Sequence, residues 1–147
     1  MRVYLDTCAW CRPFDRPSPR ILREAQALRE ILQEADRGHL ILVGSPVLEV
    51  ELDWLGDPEK REAARNLAWK SISNAPSQVP AGIASTRRRL RDLGLTPPDA
   101  LHVAWAVEAR CDVFITTDDG VLKMEQKIGQ ETGLRVSDPV RFARSLR

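Results

Sequence analysis

Residues 112–120 read DVFITTDDG, and this stretch decides the class of fold. Its hydrophobic part, VFI at residues 113–115, has the branched and aromatic character of a strand that is buried on both faces. Such a strand is typical of a parallel sheet covered by helices on each side. The strand leads directly into Asp118 and Asp119, so two carboxylates are predicted at its carboxyl end.

The first hydrophobic stretch, RVYLDT at residues 2–7, ends in the same way, because Leu5 is followed by Asp6. A single acid after a strand is explained by a turn or by a helix cap. Two strands that end in the same way are harder to explain by a turn or a cap alone.

The remaining hydrophobic patterns alternate between strands and helices. Helical spacing is clearest after Ser18-Pro19, and Thr96 is predicted to cap a regular helix that carries Asp99 in a capping-box arrangement. The predicted strands are residues 2–6, 39–45, 112–117 and 134–138, and the predicted helices include 18–37, 46–55, 57–68, 81–93, 96–111, 119–128 and 139–146. Because helices and never hairpin turns separate the strands, we predict an α/β fold, a three-layer α/β/α sandwich with a central parallel sheet of about four strands.

Length and composition limit the possibilities. A chain of 147 residues is long enough for one domain with a real core, so we predict a single domain over residues 1–147. No apolar run approaches the roughly 20 residues that cross a bilayer, which predicts a cytoplasmic protein without a membrane partner. The net charge of +1 does not by itself indicate a nucleic-acid-binding protein.

Three cysteines, Cys8, Cys11 and Cys111, are an odd and small number, which argues against a disulfide framework and fits a reducing compartment. Cys8 and Cys11 form one C-x-x-C pair, but no second pair completes a zinc site. A structural role is the simpler interpretation, and a redox or metal role for the pair stays open.

Acidic residues are predicted to converge at one edge of the sheet, where the reactive groups of open parallel sheets gather. Asp6 and Asp118 follow strands, Asp99 lies in the first turn of a helix, and Glu49 or Glu51 lies on the helix after the second strand. Taken alone, each of these acids is explained as a helix cap or a solvated side chain, without any catalytic role. Together they would repel one another unless a cation compensates them, and Mg²⁺ or Mn²⁺ is the natural oxygen-binding ion.

Four segments in this order resemble the motifs of the PIN domain family. They are VYLDTCAW, the Glu-Leu pair early in the helix predicted after the second strand, TPPDALHVAWA and FITTDDGVL. The opening YLDTCAWCRPFDRP is also similar to a bacterial subgroup whose first motif continues into an Arg-Pro-Phe-Asp segment. The resemblance covers nearly the whole chain.

The resemblance implies a metal-dependent endoribonuclease and, for many small members, the toxin of a VapBC-type toxin–antitoxin pair. By position it assigns the catalytic and metal-binding acids as Asp6, Glu51, Asp99 and Asp118, with Glu49 as the alternative second acid. It further implies an RNA substrate, a cognate antitoxin protein and a homodimer. Thr7 and Thr116 are expected to orient carboxylates, Asp119 to support the site from outside the metal ligands, and His102 and Trp105 to be ordinary core residues.

Three alternative functions agree with part of this pattern. A phospho-acceptor receiver domain also gathers acids and Mg²⁺, but it needs an acceptor Asp and a Lys where Ser45 and Ser137 stand. A haloacid-dehalogenase-type phosphatase needs a second Asp in the first motif, which DTCAW lacks. A non-catalytic PIN-fold interaction module is the third alternative, although all four acids are present. The basic residues Arg12, Arg16 and the run 87–91 are candidates for phosphate contacts, or simply solvated cations.

Overall fold

Four parallel strands form the central sheet of the molecule. In the computed structural model, which describes residues 1–147, they are β1 (Arg2–Leu5), β2 (Ile41–Val43), β3 (Val113–Ile115) and β4 (Arg135–Ser137). Their order across the sheet is β2-β1-β3-β4, and every neighbouring pair is parallel. The predicted parallel sheet of about four strands is therefore confirmed.

Nine α-helices and one 3₁₀ turn at Arg12–Phe14 accompany the sheet. The α-helices are α1 (Thr7–Cys11), α2 (Pro19–Asp36), α3 (Pro46–Asp53), α4 (Pro58–Ser71), α5 (Ile83–Leu93), α6 (Pro97–Glu108), α7 (Asp119–Leu122), α8 (Glu125–Thr132) and α9 (Pro139–Ser145). None of them is both long and apolar enough to cross a membrane.

Local sequence signals explain where most helices begin. The Ser18 hydroxyl accepts a hydrogen bond from the Ile21 amide at 3.1 Å, and the proline after Ser18 takes the first helical position, where no amide hydrogen is needed. The same combination of a capping side chain and a proline begins α3, α4 and α9. Gly94 ends α5 with φ of +113°, a conformation that other residues adopt only with strain.

The alternating side chains of the strands divide the core into two layers. Val3 and Leu5 belong to one buried cluster, which packs against residues of α1, α2, α3, α4 and α9. Tyr4 points to the opposite face and joins a second cluster with residues of α5, α6 and α8. Helices thus cover both faces of the sheet, which confirms the predicted three-layer α/β/α sandwich.

The structure corrects some predicted elements. All four strands are shorter than predicted; β2, for example, was predicted over residues 39–45 and pairs only over Ile41–Val43. The helix predicted over residues 119–128 is two helices, because the chain tightens where the Met124 amide bonds to the Val121 carbonyl and Met124 packs against the core. Helix α1 was not predicted; it begins directly after β1 because Asp6 caps it.

The strand order places a crevice next to the first strand. From β1 the chain crosses to β2 on one side, and β3 lies on the other side of β1. The chain leaves β3 in the opposite direction, towards β4. Connections thus leave the carboxyl ends of β1 and β3 towards opposite sides of the sheet, and open α/β sheets bind ligands at such a point. Asp6 and Asp118 follow these two strands.

Candidate active site

The four predicted acids lie around one cavity at the carboxyl edge of the sheet. The cavity has a volume of about 600 Å³, and its acidic wall is formed by Asp6, Glu51, Asp99 and Asp118. Each acid comes from a different segment of the chain: the start of α1, the middle of α3, the first turn of α6 and the start of α7. The convergence expected from the sequence is present in the structure.

Asp6 is held rigidly and is only 6% exposed. Its Oδ1 accepts a hydrogen bond from the Thr7 amide at 2.8 Å, and its Oδ2 accepts one from the Thr116 hydroxyl at 2.8 Å. Thr116 therefore orients a carboxylate, as expected. Asp6 thus caps α1 and also lines the cavity, so capping does not remove its carboxylate from the site.

The carboxylate of Asp118 both caps α7 and lines the cavity. Its Oδ1 accepts hydrogen bonds from the amides of Gly120 at 2.7 Å and Val121 at 3.3 Å, which caps α7. The Asp118 amide donates to the Thr116 hydroxyl at 3.1 Å, so Thr116 connects Asp118 to Asp6. Because Oδ2 of Asp118 has no hydrogen-bond partner in the protein, it is free to bind a ligand.

Asp99 departs from the predicted capping box. Thr96 stands at the N-cap of α6, but its side chain caps no amide and instead donates to Asp99 Oδ2 at 2.9 Å. The Thr96 hydroxyl thus orients the carboxylate and leaves Oδ1 without a protein partner. Burial raises the pKa of Asp99, and the negative charges of Asp118 and Asp6 raise it further, which places these three carboxylates within electrostatic reach of one another.

The structure distinguishes the two glutamates of α3. Glu51 lines the cavity, and its Oε1 accepts a hydrogen bond from the Thr7 hydroxyl at 3.2 Å, as expected for Thr7. Glu49 is exposed and does not line the cavity. Residues two apart on a helix point in different directions, so only one of them reaches the acidic wall.

His102 is the main site residue that the sequence interpretation missed. Its side chain is 2% exposed, and Nε2 forms a hydrogen bond with Glu51 Oε2 and lies 3.9 Å from Asp6 Oδ1. Its Nδ1 lies 2.7 Å from the Tyr4 hydroxyl, which in turn lies 2.6 Å from Ser45 Oγ. The sequence did hold a signal, because His102 follows Asp99 by three residues and so shares its side of α6.

Electrostatics couple His102 and Glu51. Burial lowers the pKa of His102, but the hydrogen bond with Glu51 and the charge of Asp6 outweigh burial, so this pKa lies above its usual value. Burial raises the pKa of Glu51, but His102 outweighs it and the pKa of Glu51 is lowered. Both shifts favour an imidazolium paired with a carboxylate.

The chemistry of the acidic wall fits a hard divalent cation. All four side chains offer carboxylate oxygens, which Mg²⁺ and Mn²⁺ prefer, and two of those oxygens have no protein partner. No group of three His, Cys, Asp or Glu side chains is already arranged as a metal cage. One oxygen of Glu51 is bonded to His102, and one oxygen of Asp118 accepts hydrogen bonds from the amides of α7. Mg²⁺ keeps several waters and needs only one or two carboxylates, so a complete cage is not required.

Basic residues line the same cavity as the acids. Arg12, Arg16 and Lys60 line it, whereas the run 87–91 lies on the separate outer surface of α5. Asp119 does not line the cavity and forms a 2.9 Å ion pair with Arg20. Cys8 lines the cavity as a partly buried thiol, and its Sγ lies 3.5 Å from Asp6 Oδ2. Trp105 is a core residue, as expected.

Comparison with known proteins agrees with this geometry. A family model described as PIN domain matches residues 3–127, a span that contains all four acids of the cavity. A search of curated proteins finds no match. Since the matched span covers most of the chain and includes β1 to β3, the chain belongs to the PIN domain family, whose members are generally nucleases.

Proposed function

We propose that this protein is a Mg²⁺- or Mn²⁺-dependent endoribonuclease that hydrolyses phosphodiester bonds of RNA. The observation that carries the proposal is the cavity at the carboxyl edge of the sheet, where Asp6, Glu51, Asp99 and Asp118 converge from four segments. Family membership supports nuclease chemistry, and the carboxylate wall supports a metal-dependent form of it.

The residues of the site have separate roles in this proposal. Asp99 Oδ1 and Asp118 Oδ2 lack protein partners and are available to an ion, and Asp6 lines the same cavity with its orientation fixed by two hydrogen bonds. Glu51 binds directly or through water while His102 holds its second oxygen. A divalent ion bound here supplies Lewis-acid stabilisation of the phosphate and makes water a better nucleophile. No side-chain nucleophile is needed.

Single-stranded or loop RNA suits this site better than a regular duplex. The cavity is open but lined by acids, so the strand must bend to bring one phosphate to the ion, and unpaired RNA bends readily. Arg16 in the cavity and the arginines on the outer surface of α5 offer contacts to the flanking phosphates.

A finer proposal concerns the biological setting. The resemblance to VapBC-type toxins leads us to propose a cytoplasmic toxin that forms a homodimer and is neutralised by a cognate antitoxin protein. Trp54 is 84% exposed and Val50, one turn earlier on α3, is 53% exposed, and exposed apolar side chains of this kind support a surface for a protein partner. Growth arrest on expression, relieved by a small neighbouring gene product, tests the toxin role.

Cleavage of RNA by purified protein tests the enzymatic proposal. Wild-type protein is compared with Asp6→Asn and Asp99→Asn, with and without a chelator, on a single-stranded oligonucleotide. We expect the chelator to abolish cleavage and each variant to lower kcat/KM by about 100-fold or more, as for loss of other electrostatic groups at reaction centres. Asp36→Asn is the matched control, because Asp36 is exposed and does not line the cavity.

Two outcomes would contradict the proposal. Cleavage that survives the chelator and both substitutions would show that the acids do not act through an ion. Transfer of a phosphoryl group from a small donor to an aspartate would favour the receiver-like alternative, and normal RNA binding without any cleavage would favour the interaction module.

A further inference from the structure

Arg16 differs from the other two cations of the acidic cavity. Arg12 forms ion pairs with Asp15 at 2.9 Å and Glu24 at 3.0 Å, and Lys60 pairs with Asp15 at 2.5 Å. Arg16 lines the same cavity, is exposed and pairs with no carboxylate. Arg16 is therefore the one cation of the cavity that forms no ion pair, and its guanidinium is free to bind an anion.

The ion pairs around Arg16 form a charge-balanced cluster. Glu24 is buried at 4% exposure and binds both Arg12 and Arg20, the latter at 3.3 Å. Counting Asp119 as the partner of Arg20, the cluster holds three cations (Arg12, Arg20, Lys60) and three anions (Asp15, Glu24, Asp119), so its net charge is zero. Arg16 adds an uncompensated positive charge beside the cluster.

The cluster fixes the loop that carries Arg16. Asp15, the residue before Arg16, is held by cations from the 3₁₀ turn and from α4. Pro17 follows Arg16 and restricts its backbone to extended conformations, and Ser18 then caps α2. Both neighbours of Arg16 are thus fixed, and the position of its Cα in the cavity wall is set before any ligand binds.

An ion-pair cluster that holds a buried carboxylate such as Glu24 adds little net stability, because desolvation offsets much of the attraction. Its geometric effect is different: it fixes the loop between the 3₁₀ turn and α2 at the cavity. Five carboxylates line that cavity, the four of the acidic wall and Asp15, and yet Arg16 forms no salt bridge with any of them. A polyanionic strand approaching the acidic wall needs a compensating cation at this point.

Resting on the proposed function, we propose that Arg16 binds the RNA phosphate next to the one that is cleaved. The ion pairs among Arg12, Asp15, Lys60 and Glu24, which belong to the cluster, position Arg16 for this contact. A guanidinium binds two phosphate oxygens at once, which a lysine ammonium does not do in the same geometry. The contact is the same before and during bond cleavage, so it contributes to substrate affinity and not to the chemical step.

The test separates substrate binding from chemistry. Arg16→Gln and Arg16→Lys are compared with Arg23→Gln, which removes an exposed arginine of α2 that also lacks an ion pair and does not line the acidic cavity. On a trinucleotide with two phosphodiester bonds, we expect Arg16→Gln to raise KM by about 10- to 100-fold with little change in kcat, the loss that accompanies a charge-assisted hydrogen bond. A dinucleoside monophosphate, which lacks the neighbouring phosphate, should be cleaved equally by wild type and variant.

Further readouts exclude a structural role. The thermal midpoint of Arg16→Gln should equal that of wild type, because no ion pair is lost, whereas Arg12→Gln should lower it. Arg16→Lys should recover part of the KM. Binding of a fluorescein-labelled single-stranded RNA to the Asp6→Asn background should lose affinity with Arg16→Gln and show a salt slope shallower by about 0.7.

The binding measurement keeps the two proposals distinguishable. If no RNA is cleaved but labelled RNA binds in an Arg16-dependent way, the ribonuclease proposal fails and the Arg16 contact stands. If cleavage occurs while Arg16→Gln and Arg23→Gln both leave KM and RNA affinity within about twofold of wild type, the Arg16 contact is wrong.

Discussion

The imidazole of His102 forms a hydrogen bond with the carboxylate of Glu51, and both residues belong to elements that meet at the acidic cavity. His102 does not line the cavity itself and is almost completely buried. Its position behind a proposed metal ligand is that of a residue that orients the ligand and holds its charge.

Replacing His102 should weaken the site without removing any acid. We expect His102→Ala to lower Mg²⁺ affinity by about 10- to 100-fold, the usual effect of losing a partner of a metal ligand, and His102→Gln to lower it less because an amide still donates to Glu51. Isothermal titration with Mg²⁺ measures this, with Asp36→Asn as control. Equal Mg²⁺ affinity in His102→Ala and wild type would contradict the orienting role.

Tyr4 links the cavity to the core, and its removal should cost stability. The hydroxyl bridges Ser45 and His102, while the ring stacks on Phe114 with centroids 5.5 Å apart. Tyr4→Phe keeps the stacking but leaves buried polar groups without a partner, so the unfolding free energy should fall by about 1–3 kcal/mol. Urea denaturation measures the change, and an unaltered midpoint would show that the hydroxyl contributes nothing.

Asp99 should destabilise the protein when no ion is bound. Its pKa is raised in the folded state, so the folded protein holds this proton more tightly and the unfolding free energy falls as pH rises through that pKa. At neutral pH, Asp99→Asn in chelator should therefore raise Tm by about 1–2 °C, equivalent to about 0.5 kcal/mol for a partly exposed group.

Mg²⁺ should reverse the order of stability. Added Mg²⁺ stabilises the state that binds it, so it should raise the Tm of wild type and have a smaller effect on Asp99→Asn. A thermal scan with and without Mg²⁺ checks both expectations. A lower Tm for Asp99→Asn in chelator would mean that its bond with Thr96 outweighs the repulsion from Asp118 and Asp6.

The sequence predicted the fold well because its signals are local. Hydrophobic runs, a capping residue followed by proline at α2, α3, α4 and α9, and Gly94 after α5 each act within a few residues. The convergence of the acids was also predictable, since parallel strands place their carboxyl ends at one edge. Strand lengths were less predictable, because pairing with neighbours decides where β2 ends.

The relations that the sequence did not predict are those between distant segments. His102 and Glu51 are 51 residues apart, and the bond from Arg20 to Asp119 spans 99 residues. No periodic pattern records such pairs. A buried histidine on a helix is by default an ordinary core residue, and only the packing of α3 against α6 brings Glu51 within hydrogen-bond distance of His102.

The outer surface of α5 offers a test of distant RNA contacts. Arg87, Arg88 and Arg91 are exposed, form no ion pairs and surround one shallow depression, and a short loop joins α5 to the helix that carries Asp99. Replacing all three by Gln should weaken binding of single-stranded RNA by about 10-fold and reduce the salt slope by about 2.

Arg89 is a matched control on the same helix. Its guanidinium is already bound to Glu131 at 3.4 Å and to Thr86 at 3.3 Å. Arg89→Gln should therefore change RNA affinity by less than about twofold. If the triple variant binds RNA as tightly as Arg89→Gln does, the α5 arginines are solvated surface residues and RNA reaches the cavity by another path.

The three thiols should react slowly at neutral pH. Burial raises the pKa of Cys8 to about 12, that of Cys11 to about 11 and that of Cys111 to about 12. The thiolate is the reactive form, so alkylation by iodoacetamide should rise about tenfold per pH unit between pH 7 and pH 10 and become fast only on unfolding. Mass spectrometry of each cysteine after timed alkylation measures this. A fast-reacting Cys8 or Cys11 at pH 7 would instead indicate a low-pKa thiol and would support a redox role for the C-x-x-C pair.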